Sequence, residues 1–122
     1  MRKLTALLLL TLSLGCSDAS GPGSGNVQVR IGNDSQSAFS NVAVIFPQDE
    51  VDYGAVDAGE ESAYRTVSVA YPYARVDVRI GSTELRIQPR DYVGENVLEP
   101  GRYTYSLYFI DGYLQLELKR DN

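Results

Sequence analysis

The 122-residue sequence contains no histidine, no tryptophan and a single cysteine. Each shortage closes a class of function. Histidine is the usual general base near neutral pH, a member of the serine-protease type of triad, and the commonest zinc and iron ligand. A lone cysteine has no partner for a disulfide within the chain. Lysine occurs only at Lys3 and Lys119, and Lys119 falls in the fraying last strand, a poor place to activate a serine nucleophile. Beyond the first three residues the basic side chains are scattered singly except for Lys119-Arg120, so the clustered charge that phosphate backbones demand is missing. Enzyme activity, nucleic-acid binding and a bound cofactor are therefore not expected.

No apolar run is long enough to span a bilayer, but one shorter run stands out. Arg2 and Lys3 precede Leu4 to Leu14, eleven residues of Leu, Ala, Thr and Ser, which has the form of a secretory signal's charged start and hydrophobic region. The small Gly15 then precedes Cys16. Leu12-Ser13-Leu14-Gly15-Cys16 resembles the lipobox of bacterial lipoprotein signals, with Ser13 where Leu, Val or Ile is usual. The resemblance implies that the signal is residues 1–15, that Cys16 carries a diacylglycerol on sulfur, and that its new amino group is acylated. A thioether-linked lipid also disposes of an odd thiol in an oxidising compartment. Two or three acyl chains, at about 0.8 kcal/mol per buried CH₂, hold a protein on a membrane essentially permanently. In proteobacterial lipoproteins an aspartate directly after the cysteine favours the inner membrane. Here that position is Ser17 and Asp18 comes one place later, so the resemblance implies the outer membrane of a bacterial cell envelope.

Cleavage before Cys16 leaves 107 residues, room for one domain. Losing Arg2 and Lys3 leaves nine basic residues against 16 acidic ones, a net charge of −7. Residues 16–25 are rich in Gly and Ser and read as a flexible tether, whose ten residues reach roughly 17 Å on average. The folded domain is residues 26–122.

From Val27 the hydrophobic period is two: Val27, Val29 and Ile31 face one way, Gln28 and Arg30 the other. Gly32 to Ser35 is a turn, Asn41 to Phe46 an almost wholly apolar strand ended by Pro47, and Val51 to Val56 a weaker strand closed by Asp57-Ala58-Gly59. Ala63 to Ala70 is rich in strand formers. Two hairpins fix their own register. Around Gly81-Ser82, a type II′ turn, pairing Ile80 with Thr83 sets Val78 against Leu85 and Val76 against Ile87. The same register sets Arg79 against Glu84 and Asp77 against Arg86. Around Asp111-Gly112, a type I′ turn, pairing Ile110 with Tyr113 sets Phe109, Leu107 and Tyr105 against Leu114, Leu116 and Leu118 as a core face. Tyr108, Ser106 and Thr104 then oppose Gln115, Glu117 and Lys119 on a face expected to meet water.

Pro89 to Gly101 lacks clear periodicity and ends in Leu98-Glu99-Pro100-Gly101-Arg102-Tyr103. That segment resembles the turn into a late strand of immunoglobulin-like sandwiches, where a tyrosine hydrogen-bonds to upstream backbone. Leu98 to Leu107 is likewise similar to the P-G-x-Y segment of bacterial immunoglobulin-like and transthyretin-like domains. The resemblance assigns the corner role to Tyr103. With no helix apparent after the signal, the expectation is all-β: a single immunoglobulin-like β-sandwich of about eight antiparallel strands.

Three further chemistries are open on the residues. The acidic groups Asp49, Glu50, Asp52 and Asp57, Glu60, Glu61 offer oxygen ligands to calcium, but neither matches a known calcium loop; paired carboxylates as in glycosidases would need a cleft this domain has little room for. Tyr71, Tyr73 and Tyr92 are candidates for gripping a glycan or peptide, because a phenol ring joins an apolar face to a polar tip. The expected function is a non-enzymatic, membrane-anchored envelope lipoprotein with a binding or envelope-assembly role, whose partner is an envelope protein or a glycan. The alternatives are a small-ligand module using those tyrosines and a calcium-stabilised structural domain.

Overall fold

A computed structural model describes residues 26–90 and 96–121. The signal, Cys16, the tether and Tyr92 lie outside the described residues. Eight strands follow one another: β1 Val27–Asn33, β2 Phe39–Ile45, β3 Glu50–Val56, β4 Arg65–Val67, β5 Arg75–Ile80, β6 Thr83–Ile87, β7 Gly101–Ile110 and β8 Tyr113–Arg120. They form two four-stranded sheets, ordered β4-β1-β7-β8 and β3-β2-β5-β6. The inward sides of both sheets supply one core. Val27, Val29 and Ile31 of β1 meet Val42 and Val44 of β2, Val76 and Val78 of β5, and Tyr103, Tyr105 and Leu107 of β7. Tyr105 stacks on Phe46 with ring centroids 5.9 Å apart.

Both hairpins have the register expected from their residues, pair by pair. Gly81 has φ 60° and Ser82 does not share the left-handed region, whereas Asp111 and Gly112 both have positive φ, as the two turn types require. The Arg79–Glu84 ion pair forms across the first hairpin, and Arg86 Nε lies 2.6 Å from Asp77 Oδ1.

Three expectations are corrected. First, the strands are not all antiparallel: β1 runs parallel to β7, from Val27 opposite Gly101 to Asn33 opposite Leu107. The chain crosses to the other sheet after β1 and returns to β1's side only for the short β4 and finally β7, and a long excursion is what a parallel neighbour requires. Secondly, the strand expected over Ala63 to Ala70 shrinks to Arg65–Val67. At its start the Ser62 hydroxyl takes the Ile31 amide at 2.9 Å, and at its end the Asp49 carboxylate takes the Ser68 amide at 2.9 Å, so side chains replace the ladder.

Thirdly, Thr104 and Ser106 do not meet water: they are 5% and 3% exposed on the outer face of the first sheet. The Arg30 side chain lies across that face and donates from Nε to Thr104 Oγ1 at 2.9 Å. β3 forms where the weaker strand is expected, and it is also irregular. Its register against β2 shifts between Val42 and Ala43, which oppose Gly54 and Asp52, leaving Tyr53 as an extra residue. Gly54 takes φ 80° there, and the Tyr53 hydroxyl crosses the sandwich to donate to the Val29 carbonyl at 2.8 Å.

Candidate functional site

The two ends of the sandwich are built differently. At one end β1 and β7 begin and β4 and β8 finish, since Val27 opposes both Gly101 and Val67 and Tyr103 opposes Arg120. In the other sheet the same end holds Ile45, Glu50, Arg75 and Ile87. Asn26, the first described residue, is at this end too, its carbonyl accepting from the Gly101 amide at 3.2 Å, so this end is the root of the described domain. All four prolines of the described residues, Pro47, Pro72, Pro89 and Pro100, sit in its connections. Proline has no amide hydrogen for a ladder, so it marks where strands stop.

Three features at this end matter. The first is the corner: Tyr103 donates its hydroxyl to the Glu99 carbonyl at 2.6 Å, four residues upstream, and the Arg120 guanidinium lies over its ring at 5.3 Å. Arg120 also donates to the Pro100 carbonyl at 3.3 Å. The second is the loop carrying Tyr71 and Tyr73, which is pinned on both sides by buried Ala70 and Ala74. The Tyr105 hydroxyl donates to the Tyr71 carbonyl at 2.6 Å, and the Leu98 amide donates to the Ala70 carbonyl at 2.8 Å. Both tyrosines are half-buried. The structure thus brings two of the three candidate tyrosines into one loop; Tyr92 is outside the described residues. The third is a mainly apolar hollow of about 310 Å³ lined by Val27, Val69, Val97, Leu98 and Pro100, with Ser68 and Glu99 at its polar edge. Val97 is 52% exposed.

A larger hollow is elsewhere, a shallow trough of about 390 Å³ on the outer face of the second sheet. Its floor includes Asn41 and Ala43, and its charged walls are Arg79 against Glu84 and Arg86 against Asp77. Those walls neutralise one another, so the trough presents no net charge to a ligand.

A polar network that periodicity alone did not reveal covers the outer face of the first sheet. Asp121 Oδ2 accepts from the Tyr64 hydroxyl at 2.6 Å and from Thr104 Oγ1 at 2.7 Å. Arg30 lies 3.6 Å from both Asp121 and Glu61 and stacks over the Tyr64 ring at 4.7 Å. Local desolvation raises the Tyr64 phenol above its ordinary pKa, and donation to Asp121 adds to the shift. Tyr53 is raised much further, chiefly by burial, with Arg65 opposing the shift. Neither phenol is a proton donor of use near neutrality. Their hydroxyls hold strands together.

The two acidic groups are not assembled into one site. Asp49 caps Ser68, Asp52 accepts from the Gly54 amide at 2.9 Å, and Glu61 pairs with Arg30 at the opposite end of β3. Among the described residues no three His, Cys, Asp or Glu side chains are grouped to hold a metal ion. Likewise, no helix among them is long and apolar enough to cross a membrane.

No protein-family model matches the chain, and no curated protein matches it. Among solved structures, the chain is similar to the NMR structure of a protein from Eubacterium rectale, with a TM-score of 0.56 and 12% identity over 85% of this chain and 98% of that one. The class defined is thus a two-sheet β-sandwich. At 12% identity the likeness shows the fold alone.

Proposed function

We propose that this chain is a non-enzymatic bacterial envelope lipoprotein, anchored through Cys16 and displaying one β-sandwich close to the membrane for a binding or envelope-assembly role. The observation that carries the reading is the N-terminal sequence: two basic residues, an eleven-residue apolar run and Leu12 to Cys16, followed by a Gly/Ser tether. The absence of histidine and the solitary Lys119 of the mature chain support a role in binding over one in catalysis. Ser17 after the cysteine supports the outer membrane.

A Cys16→Ser variant expressed in the native bacterium tests the anchor. The wild-type protein is expected in the membrane fraction and the variant outside it; a variant that still sediments with membranes counts against anchoring through Cys16. A second reading, recognition of a glycan or peptide, is supported by Tyr71 and Tyr73 standing in one loop at the same end as the apolar hollow. Titrating glycan fragments while following the tyrosine ring resonances tests it, and unshifted Tyr71 and Tyr73 signals would remove it.

A further inference from the structure

The hollow beside the tether root is apolar, open and placed where the anchored chain must approach its membrane. We propose that the end of the sandwich bearing Val69, Val97, Leu98 and Pro100 rests on the lipid bilayer itself, so that the domain stands end-on with its tight turns pointing away. The inference depends on the anchor reading above. Its own ground is geometric: Asn26 ends the chain outside the described residues, its carbonyl bonds to Gly101, and the next residue, Val27, lines the hollow. If residues 16–25 form the Gly/Ser tether expected from the sequence, their reach of roughly 17 Å is half of the roughly 34 Å that ten extended residues such as β7 span, so this end is held near the bilayer and the opposite end is not.

The chemistry of the end suits a lipid interface. Val97 is 52% exposed and projects beside Leu98 and Pro100, and Arg102 and Arg120 flank the Pro100-Gly101 turn. Apolar side chains bordered by arginine are favoured at the boundary of headgroups and acyl chains, where the guanidinium meets phosphate while its stem stays apolar. Glu99, Asp49 and Glu50 are opposing carboxylates at this end, and with the net charge of −7 they keep the intrinsic affinity low. A low affinity suffices here. A short flexible linker supplies an effective concentration on the order of millimolar, so even weak contact is populated once the chain is anchored. The other strongly exposed apolar residues, Ile110 and Tyr113, lie at the β7–β8 turn, at the far end of the same strands.

The test uses the full chain expressed in a lipidating bacterium, isotope-labelled, purified from membranes and placed in nanodiscs containing a nitroxide-bearing phospholipid. Its intact mass is measured first. The expected result is an acylated chain in which the amide signals of Val69, Val97 and Leu98 are lost to broadening while those of Gly81 and Tyr113 keep their intensity. Val97→Asp, at an exposed position, should restore the proximal signals without disturbing the rest of the spectrum, and Tyr113→Asp should change nothing proximal. Acylation with equal broadening at both ends overturns the docking while leaving the anchor standing. An unacylated chain removes the anchor reading and this inference together.

Discussion

The tether end and the turn end of this sandwich solve the same problem by different means. At the turn end both hairpin turns are two residues long, and one buried side chain ties the other two connections together. Asn33, 1% exposed, donates to the Ser37 carbonyl at 2.7 Å and to the Val56 carbonyl at 2.9 Å, while its Oδ1 accepts from the Ser35 amide and hydroxyl. Its backbone adds bonds to Glu60 and Gly59. At the tether end the connections carry the prolines and are held by phenol hydroxyls reaching backbone carbonyls, Tyr103 to Glu99 and Tyr105 to Tyr71. A buried amide satisfies four partners at once and tolerates no substitute. A phenol makes one bond, and its ring keeps packing when the hydroxyl is gone. The hollow lies at the root, while exposed apolar side chains stand at both ends, Val97 at the tether end and Ile110 and Tyr113 at the turn end.

That contrast is open to attack by substitution. Asn33→Ala should be the most damaging change, about 2 to 3 kcal/mol in a urea unfolding experiment, because it strands the buried Val56 carbonyl and removes the acceptor that holds Ser35. A loss below that of the phenol variants would break the contrast. Tyr103→Phe should cost about 1 kcal/mol, since the ring stays and only the bond to Glu99 goes, with faster amide exchange confined to the tether end. Asp121→Ala should cost about 1 kcal/mol or less, its bonds to Tyr64 and Thr104 being discounted for partial exposure.

Tyr53 sharpens the comparison through pH. Its folded pKa is raised above the ordinary value of 10.0, so above pH 10 the unfolded chain loses a proton that the folded one keeps. Stability is then full below that pH and falls as pH rises further. Tyr53→Phe should flatten the fall in denaturation curves recorded from pH 9 upward, and an unchanged slope would place the effect elsewhere. The smallest effect belongs to the exposed Arg79–Glu84 pair: Glu84→Gln should change stability by less than about 0.5 kcal/mol.

How much of this was legible in the sequence depended on whether a feature is local. Both hairpins could be read residue by residue because turn chemistry, apolar alternation and cross-strand charge all select one register. Tyr103 was legible as a corner residue through the turn that precedes it. The parallel contact of β1 with β7 was not, because period-two alternation says which way a side chain faces and nothing about the strand beside it. Thr104 and Ser106 were assigned to water since their polarity fits it, but the length of Arg30 lets it cover them while satisfying Thr104. Val69 and Ala70 look like strand and instead leave the sheet, one to line the hollow and one to meet Leu98. The role of Asn33 looked like that of an ordinary turn residue, and only the packing of the β3–β4 connection against it makes it central. Of the candidate site, the tyrosines at positions 71 and 73 could be picked out as a pair, while the hollow beside them is assembled from β1, the chain after β4 and the approach to β7, which no local pattern joins.

The most direct test of the account is the intact mass of the protein recovered from the membranes of its own bacterium. The account predicts residues 16–122 carrying two or three acyl chains on Cys16. An unmodified chain in the soluble fraction would contradict it, and would leave a sandwich whose tyrosine-bearing end faces solvent as the surface to search for a ligand.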